Sequence, residues 1–398
     1  MARAEGRAGE YVRQPAGYRA FVPAPLPPDP PVATEGMQAL LEGANVAIGR
    51  LDGIAQTLPS ADLFVSMYVR REAVLSSQIE GTQSTLEDLL AAELERPRAR
   101  IQPRDVDEVV NYVRAMNYGL ARLQQLPLSL RLIRELHAKL LTGVRGHDRT
   151  PGEFRRDQNY IAPEGVRSIE RATFVPPPVG EMKKALDNFE KWLHEEDDIT
   201  ELVRVGIAHA QFETIHPFQD GNGRVGRLLI TSLLVQRGLL HRPLLYLSVY
   251  LRRNRSEYYE RLMAVRDGGD WEGWIRFFLR GVSDTAEEAT HTVRNILQLR
   301  ETDHALIAGH GLGMNGMKLH DLLLSRPRLT VALAAEKLDV TFPTANKLID
   351  RFVELGLLQE ITGRRRNRIF SFEPYLRLFE DSVPPSSGPL QTIEPVPG

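Results

Sequence analysis

The chain has 398 residues, of which 42% are hydrophobic and 26% are charged, as in a soluble globular protein of two or three domains. A formal net charge of −2 excludes a global attraction to nucleic acid or anionic membranes, and the lack of cysteine excludes disulfides, thiol nucleophiles and cysteine-ligated zinc. No apolar run is long enough to span a bilayer, and the start MARAEGRAGE lacks the apolar stretch of a signal peptide. We therefore expect a cytoplasmic protein.

The N-terminal third is predicted in two parts. Residues 1–35 are rich in Pro and Ala and are expected to be extended or partly disordered. Residues 36–125 are predicted as a helical region. Within it, ADLFVSMYVRREAVLSSQIEG has apolar residues at helical spacing and ends at Gly81, a helix C-cap. The next helix, STLEDLLAAELE, opens with the capping-box spacing of Ser84 and Glu87.

Residues 126–308 are predicted as a helical core with one exception. Helical periodicity predicts one more helix in the preceding region, at 105–124. In the core it predicts helices at 129–142, 180–195, 200–215, 226–237, 255–266, 271–281 and 283–308. Between them, residues 154–178 contain two β-prone pieces, around 159–161 and 173–175, which predict a β-hairpin. This hairpin is either a surface excursion or a flap whose free strand edge takes a bound peptide.

The C-terminal part is predicted as a separate small domain. The glycine-rich stretch 308–316 predicts a boundary. Residues 314–375 then predict helix, helix, turn, helix and two strands, which is a winged helix with Thr344–Leu355 as recognition helix and Gly363–Arg368 as wing. The wing has four arginines, but the rest of the domain is not strongly basic, so little positive charge is available to bind DNA phosphates. Residues 376–398 predict a disordered tail.

The densest motif is HPFQDGNGRVGR, residues 216–227. It fits the GxGxxG spacing, but a dinucleotide site needs a preceding strand and an acid about twenty residues later, and neither is present. A P-loop is also excluded, because Arg227 and Leu228 stand where Lys and Ser/Thr are required. The pattern instead predicts helix, loop, helix, with the second helix beginning near 224–226.

The start of that second helix predicts an anion site. Backbone N–H groups at a helix start favour anions, and Gly221 and Gly223 permit backbone conformations closed to other residues. Asn222 adds a side-chain donor, and Arg224 and Arg227 share one helix face. Together these groups form a cradle for a polyphosphate.

Two further residues of the motif suggest chemistry. Asp220 at the lip of the cradle is placed to hold Mg2+ against a phosphate. His216 lies just before the cradle and has the near-neutral pKa of a general base. The alternative is a glycine-rich connector with ordinary surface arginines, but all twelve positions serve one task, which favours the cradle.

The stretch 216–227 matches the HPFx(D/E)GNGRxxR motif of the Fic family without a mismatch. The chain resembles a Fic-domain protein over roughly residues 60–280. The resemblance implies a mainly α fold: a Fic-type helical bundle with a β-hairpin flap, plus a small C-terminal winged helix. It also implies a protein adenylyltransferase that uses ATP and Mg2+ and transfers AMP to a Ser, Thr or Tyr hydroxyl of a protein.

The resemblance assigns a role to each residue of the motif. His216 would deprotonate the hydroxyl, Asp220 would hold Mg2+, and residues 221–223 would form the anion hole for the α- and β-phosphates. Arg224 would bind the β-phosphate and Arg227 the γ-phosphate. The 154–178 flap would register the target protein by strand addition.

Two tyrosines at 258 and 259 resemble the segment that flanks the nucleotide base. The alternative for this pair is an amphipathic helix with one aromatic ring in the core. The full set of expected nucleotide contacts is Glu80, Gln211, Pro217, Phe218, Gln219, Asp220, Gly221, Asn222, Gly223, Arg224, Arg227, Tyr258 and Tyr259.

A second motif, SSQIEG at 76–81, resembles the family's inhibitory (S/T)xxxE(G/N) sequence through Ser76, Glu80 and Gly81. A spacing of four places Ser76 and Glu80 on one helix face. The resemblance implies that Glu80 pairs with Arg227 and that the enzyme inhibits itself. The alternative is a plain helix end capped by Gly81.

Other functions stay open at this stage. The Fic module could act as a nucleotide sensor for a winged-helix DNA-binding regulator, or transfer or remove another phosphate-containing group. The predicted recognition helix has mixed charge, which does not favour the regulator; its charged residues include Lys347, Asp350, Arg351 and Glu354. The target protein, self-modification, a homodimer and DNA binding are also left open, and no membrane partner is expected.

Overall fold

The computed structural model describes residues 6–58, 61–95, 104–144, 149–163, 165–166 and 168–379. The predicted mainly helical class is confirmed. The helices are α1 Gln38–Gln56, α2 Ala61–Ile79, α3 Leu86–Glu95, α4 Arg104–Leu123, α5 Leu130–Leu140, α6 Val179–His194, α7 Glu201–Ile215, α8 Asn222–Gln236, α9 Ser248–Arg253, α10 Arg255–Gly268, α11 Trp271–Gly309, α12 Gly313–Ser325, α13 Val331–Leu338, α14 Phe342–Glu354 and α15 Glu373–Leu376. The strands are β1 Gly9–Arg13, β2 Arg19–Pro23, β3 Arg328–Thr330, β4 Gln359–Glu360 and β5 Ile369–Ser371. None of the described helices has the length and hydropathy to cross a membrane.

The N-terminal segment is folded where it is described. β1 and β2 form an antiparallel hairpin in which Tyr11 is opposite Phe21. Phe21 is buried, and its backbone N–H donates to the carbonyl of Val175 (2.9 Å). The prediction of an extended or partly disordered segment is therefore wrong for residues 9–23, because buried apolar side chains attach the hairpin to the core. Residues 1–5 lie outside the described residues.

The centre of the core is α7, which is buried from Leu202 to Ile215 and is covered by α6, α8 and α11. The two helices predicted at 271–281 and 283–308 are one helix of 39 residues, α11. Gly281 does not break it. A Cβ at this position would lie 2.6 Å from the Tyr250 ring, so the glycine serves close packing instead.

Two helix starts differ from prediction. α8 begins at Asn222 rather than near 224–226, because Gly221 adopts a left-handed conformation (φ 79°) at the N-cap. α3 is capped by Thr85 and Asp88 instead of Ser84 and Glu87. The Thr85 N–H donates to the Asp88 carboxylate (2.8 Å), and the Asp88 N–H donates to the Thr85 hydroxyl (3.2 Å).

The predicted hairpin at 154–178 is a loop closed by a single bridge. Ile161 and Phe174 exchange two backbone hydrogen bonds, of 2.8 and 3.1 Å. A short 3-10 helix, Ile169–Arg171, lies between them. Prolines at 163 and 176–178 lack the N–H donors that a longer strand ladder requires.

The C-terminal domain has helices α12, α13 and α14 and a three-stranded sheet in the order β3-β5-β4. α14 agrees with the predicted recognition helix to within two residues at its start. The domain packs on α2, where the rings of Tyr68 and Phe379 lie 5.3 Å apart. The predicted disorder is wrong for residues 376–379, because Leu376 and Phe379 are buried; residues 380–398 lie outside the described residues.

Candidate functional site

The loop between α7 and α8 has a defined shape. His216 (φ 49°) and Gly221 (φ 79°) both adopt left-handed conformations, which reverse the chain between the two helices. The Asn222 side chain accepts from the Phe218 N–H (2.8 Å) and donates to the Phe218 carbonyl (2.7 Å). Its amide therefore braces the loop.

Residues distant in sequence hold this loop in place. The Arg155 side chain donates to the His216 carbonyl (3.1 Å), and Asn159 donates to the Phe218 carbonyl (2.8 Å). Both come from the 154–178 loop, so the predicted flap is fastened at its base to the motif. Sequence reasoning missed both anchors, since nothing local marks them.

His137 of α5 is a third anchor. The Gly152 N–H donates to its Nδ1 (2.9 Å), so its Nε2 carries the proton and donates to the Asp220 carbonyl (3.0 Å). The imidazole also stacks on the Phe218 ring, with 3.7 Å between centroids. Burial lowers the pKa of His137 to about 4, so the ring stays neutral and keeps this hydrogen-bond pattern at pH 7.

Arg227 is held by the segment that resembles the inhibitory motif. Its Nη2 donates to the Glu80 carboxylate (2.6 Å) and to the Ser76 carbonyl (3.0 Å), and its Nε donates to the Ser76 hydroxyl (2.7 Å). Ser76 is fully buried and Gly81 has φ 96°. The structure thus brings Ser76 and Glu80 to Arg227, which is 151 and 147 residues away from them in sequence.

The Glu80 carboxylate lies directly against the first turn of α8. A Cβ at Gly223 would be only 2.2 Å from Glu80 Oε1, so only glycine permits this approach. Burial alone would raise the pKa of Glu80, but the Arg227 guanidinium outweighs it and holds that pKa below its ordinary value. Glu80 is therefore ionised at the place where a helix start attracts anions. Its side chain keeps 33% of its surface exposed, so the pair is only partly desolvated.

Arg224 has a different partner, which the sequence did not reveal. Its Nη1 donates to the Glu108 carboxylate of α4 (2.9 Å), and the two side chains are 2% and 3% exposed. Asp220 lies near the same guanidinium, at 3.8 Å. Glu108 lies in an amphipathic helix with several other acids, so no sequence signal distinguishes it.

His216 lies at the C-cap of α7. Burial, together with the positive charges of Arg266 and Arg155, lowers the pKa of His216 to about 3. Its ring is therefore neutral at pH 7 and has a lone pair available to accept a proton.

Asp220 fits a hard cation. Its Oδ1 accepts from the Gly221 N–H (2.7 Å), and 38% of its side-chain surface is exposed at the lip of the loop. A carboxylate oxygen in this position is a suitable ligand for Mg2+.

Several other expected nucleotide contacts have partners elsewhere in the protein or are buried. Gln211 is buried and donates to the Ala24 carbonyl (3.0 Å), so it holds the N-terminal hairpin. Tyr258 is buried, and its hydroxyl forms a hydrogen bond with His209 Nε2 (2.9 Å), which makes it the core aromatic of the pair. Tyr259 is 42% exposed beside it. Pro217 and Phe218 are also buried, and Gln219 donates to the Asp157 carbonyl (3.4 Å).

A buried acid lies behind the loop. A Cβ at Gly226 would lie 2.4 Å from Glu213 Oε1, so this glycine makes room for the Glu213 carboxyl. Burial raises the pKa of Glu213 to about 7, although Arg227 opposes the shift.

Family models match three parts of this chain. The Fic/DOC family N-terminal model matches residues 38–121, and the Fic/DOC family model matches residues 127–234. This chain is a Fic-domain protein. A model described as an HTH DNA binding domain matches residues 317–370 of the same Fic-domain protein.

Curated relatives match about half of this chain. "Protein adenylyltransferase Fic" of Drosophila melanogaster is 31% identical over 216 residues, which cover 53% of this chain and 39% of that protein. The protein of the same name from Drosophila virilis is 32% identical over the same length and coverage. The match thus spans about two fifths of the length of these relatives.

Solved structures share the fold. A Fic family protein from Desulfovibrio desulfuricans G20 has a TM-score of 0.54 and 21% identity, covering 85% of this chain and 96% of that one. A Fic domain containing signaling protein from Bacteroides thetaiotaomicron has a TM-score of 0.50 and 18% identity, with coverages of 63% and 95%. At these identities the likeness concerns the fold alone.

Proposed function

We propose that this Fic-domain protein transfers AMP from ATP to a Ser, Thr or Tyr hydroxyl of a protein, and that Glu80 restrains the reaction. The observation that carries the proposal is the 2.6 Å contact of Glu80 with Arg227 at the start of α8. The relatives named protein adenylyltransferase, 31% identical over half of the chain, support it.

The loop geometry supports a direct displacement. Neutral His216 would take the proton of the target hydroxyl, and the hydroxyl oxygen would attack the α-phosphorus. A bond forms between that oxygen and the α-phosphorus, the bond to the β-phosphate oxygen breaks, and pyrophosphate leaves with the bonding electrons. Arg224, Arg227 and the first-turn N–H groups of α8 would hold the departing phosphates.

Mg2+ would be held by Asp220 at the lip of the loop. When bound, it would offset the negative charge of the phosphates. Asp220 contributes the ligand oxygen, and His137 fixes the backbone of Asp220 through the carbonyl contact at 3.0 Å.

The restraint follows from competition for Arg227. The guanidinium cannot bind the Glu80 carboxylate and the γ-phosphate at full strength together. A charge-assisted contact of this kind is worth about 1.5–3 kcal/mol, which corresponds to roughly ten- to a hundred-fold in productive ATP binding. We therefore expect the wild-type protein to be weakly active.

The target protein would lie along the 154–178 loop. The Val175 carbonyl already accepts from β2, so this chain's own hairpin occupies that position of the second β-prone piece. Ile161, 37% exposed, lies on the opposite piece. We propose this piece as the edge that takes an extended target segment.

DNA binding through the C-terminal domain is the second candidate, because residues 317–370 match an HTH DNA binding domain. Its charges weaken this candidate. Arg368 of the wing donates to Asn346 (3.0 Å) and lies 3.4 Å from the Asp350 carboxylate, and Arg351 pairs with Glu354. Acidic residues of α14 itself, Asp350 and Glu354, therefore offset part of the positive charge that binding to DNA phosphates would require.

A labelling experiment with two forms of ATP tests the proposal. Glu80→Gly protein is incubated with Mg2+ and a cell lysate, in parallel with α-labelled and γ-labelled ATP. We expect protein-bound label from the α-position only, with a mass increase of one AMP. Label from the γ-position would indicate phosphoryl transfer, and the absence of protein-bound α-label would refute the proposal. Glu195→Gly, a change of the same kind just beyond the end of α6, is the matched control and should behave as wild type.

A further inference from the structure

A cluster of nitrogen and oxygen ligands lies outside the Fic site, at the junction of α11 and α12. His304 comes from α11, and His320 and Asp321 come from α12. One ligand atom of each lies within 4.8 Å of the others. The two imidazole rings meet edge to face, with centroids 5.0 Å apart.

Two nitrogens of this cluster are buried without a hydrogen-bond partner. They are His304 Nε2 and His320 Nδ1. His320 is fully buried, and His304 Nε2 lies 3.8 Å from the Asp321 carboxylate, which is too far for a hydrogen bond. Buried polar atoms are normally paired, so two such nitrogens in one cluster with a carboxylate suggest a missing ligand.

The second nitrogen of His320 is already fixed. Its Nε2 lies 2.9 Å from the Asp303 carboxylate, and both side chains are buried. The carboxylate can only accept, so Nε2 carries the proton and the lone pair lies on Nδ1. A carboxylate that orients an imidazole through its other nitrogen is the usual arrangement around a metal-ligating histidine.

We propose that the junction binds one Zn2+ ion, or a similar late first-row divalent cation, through His304 Nε2, His320 Nδ1 and Asp321. Two imidazoles and one carboxylate suit such ions and leave the fourth position of a tetrahedron for water. Zn–N bonds of ~2.0–2.1 Å set ligand atoms roughly 3.4 Å apart, so pairs of ligand atoms that now lie within 4.8 Å of one another must approach by at most about 1.4 Å. Asp321 Oδ1 lies 3.8 Å from His304 Nε2 and 3.4 Å from Arg300, so the same carboxylate oxygen would serve both the ion and Arg300.

The position of the site gives it a structural consequence. The ion would join the last part of α11, whose first part packs against α7, to the first helix of the HTH-like domain. α12 also packs on α2, the helix that leads to Ser76 and Glu80. The ion would therefore fix the C-terminal domain against the helix that restrains Arg227.

Equilibrium binding to the full-length chain tests the proposal. The protein is freed of metal with a chelator and titrated with Zn2+ in competition with a chelating dye. We expect one tight equivalent per chain, and Co2+ in its place should give the intense visible bands of a four-coordinate site. Asp303→Asn should weaken the binding about 10- to 100-fold, and His304→Gln at least as much.

Controls separate this site from incidental binding. His310→Gln removes an exposed histidine at the end of the same helix and should leave the Zn2+ affinity unchanged. Zn2+ should raise the melting temperature of the wild type but not of His304→Gln. A cooperative melting transition of His304→Gln also shows that the variant folds. No stoichiometric Zn2+ binding to the wild type, or an unchanged affinity in His304→Gln, would overturn the proposal.

Discussion

The two arginines of the Fic motif differ in how the N-terminal helices hold them. Arg224 and Arg227 are neighbours on α8, and each is paired with a carboxylate from this region. The Arg224–Glu108 pair is buried, with 2% and 3% of the side chains exposed. In the Arg227–Glu80 pair, Glu80 keeps 33% of its side chain exposed.

This difference suggests different roles for the two carboxylates: Glu108 would position Arg224, and Glu80 would restrain Arg227. Glu108 lies in the second turn of α4, where neighbouring turns fix it, and its removal would leave the buried guanidinium with only the more distant and exposed Asp220. Glu80 follows the last residue of α2 in a turn that ends at Gly81, so a small local movement can withdraw it. Under the proposed function, α4 would orient Arg224 for the reaction, whereas α2 would occupy Arg227 until ATP displaces it.

The largest expected effect tests whether the loop beside both pairs is the reaction site. His216→Ala, made in the Glu80→Gly background, should reduce AMP transfer by about two to four orders of magnitude, because the target hydroxyl loses its base. ATP affinity should be unchanged. Transfer rates with α-labelled ATP and equilibrium ATP binding measure the two effects. A variant that transfers AMP at the parent rate would place the base elsewhere.

The next prediction concerns the buried pair. Glu108→Gln keeps the shape of the side chain but leaves Arg224 with only the more distant and exposed Asp220 carboxylate, so the free energy of unfolding should fall by about 3–5 kcal/mol. Urea denaturation measures it. Glu181→Gln, which removes the exposed partner of Lys184, is the control and should change the stability by less than about 0.5 kcal/mol. If both variants are equally stable, the contrast between buried and exposed pairs fails.

The Arg227–Glu80 pair should instead affect activity. Glu80→Gly and the isosteric Glu80→Gln should both increase AMP transfer about ten- to a hundred-fold, because Arg227 is freed for the γ-phosphate. Arg227→Ala should be poorly active with or without Glu80, so the double variant should show no rescue. The four proteins are compared at equal ATP concentration. Equal rates for wild type and Glu80→Gly would reduce SSQIEG to an ordinary helix end.

The sequence predicted best what depends on local spacing. The motif at 216–227 is readable because its residues are adjacent in the chain. The alignment of Ser76 with Glu80 is readable because a helix repeats every 3.6 residues. Glu108 is 116 residues from Arg224, and periodicity shows which face of a helix is buried but not which helix it meets. The same limit hid Arg155 and Asn159, the anchors of the motif.

Local patterns also failed where two alternatives were equally spaced or where tertiary packing decided. In STLED, Ser84–Glu87 and Thr85–Asp88 both fit a capping box, and only the start of α3 selects the second. The Pro- and Ala-rich N-terminus has a composition typical of disorder. Burial of Phe21 against the core overrides that composition.

The smallest expected effect is the absence of a pH dependence in the restraint. The pKa of Glu80 is lowered by Arg227, so the carboxylate stays ionised above the ordinary value of 4.5, and the pair is lost only as the pH falls through the lowered pKa. The pKa of His216, about 3, keeps the base neutral over the same range. The ratio of Glu80→Gly to wild-type rates should therefore stay constant within about twofold from pH 6 to 8.5. Initial rates with α-labelled ATP at each pH measure it. A ratio that changes steeply near pH 7 would instead assign the restraint to Glu213, whose carboxyl lies beside Gly226 and has a pKa of about 7; Glu72, whose pKa burial also raises to about 7, would be the other candidate. Glu213→Gln would then remove the pH dependence. In that case three carboxyl groups, those of Glu80, Glu108 and Glu213, would control Arg224 and Arg227.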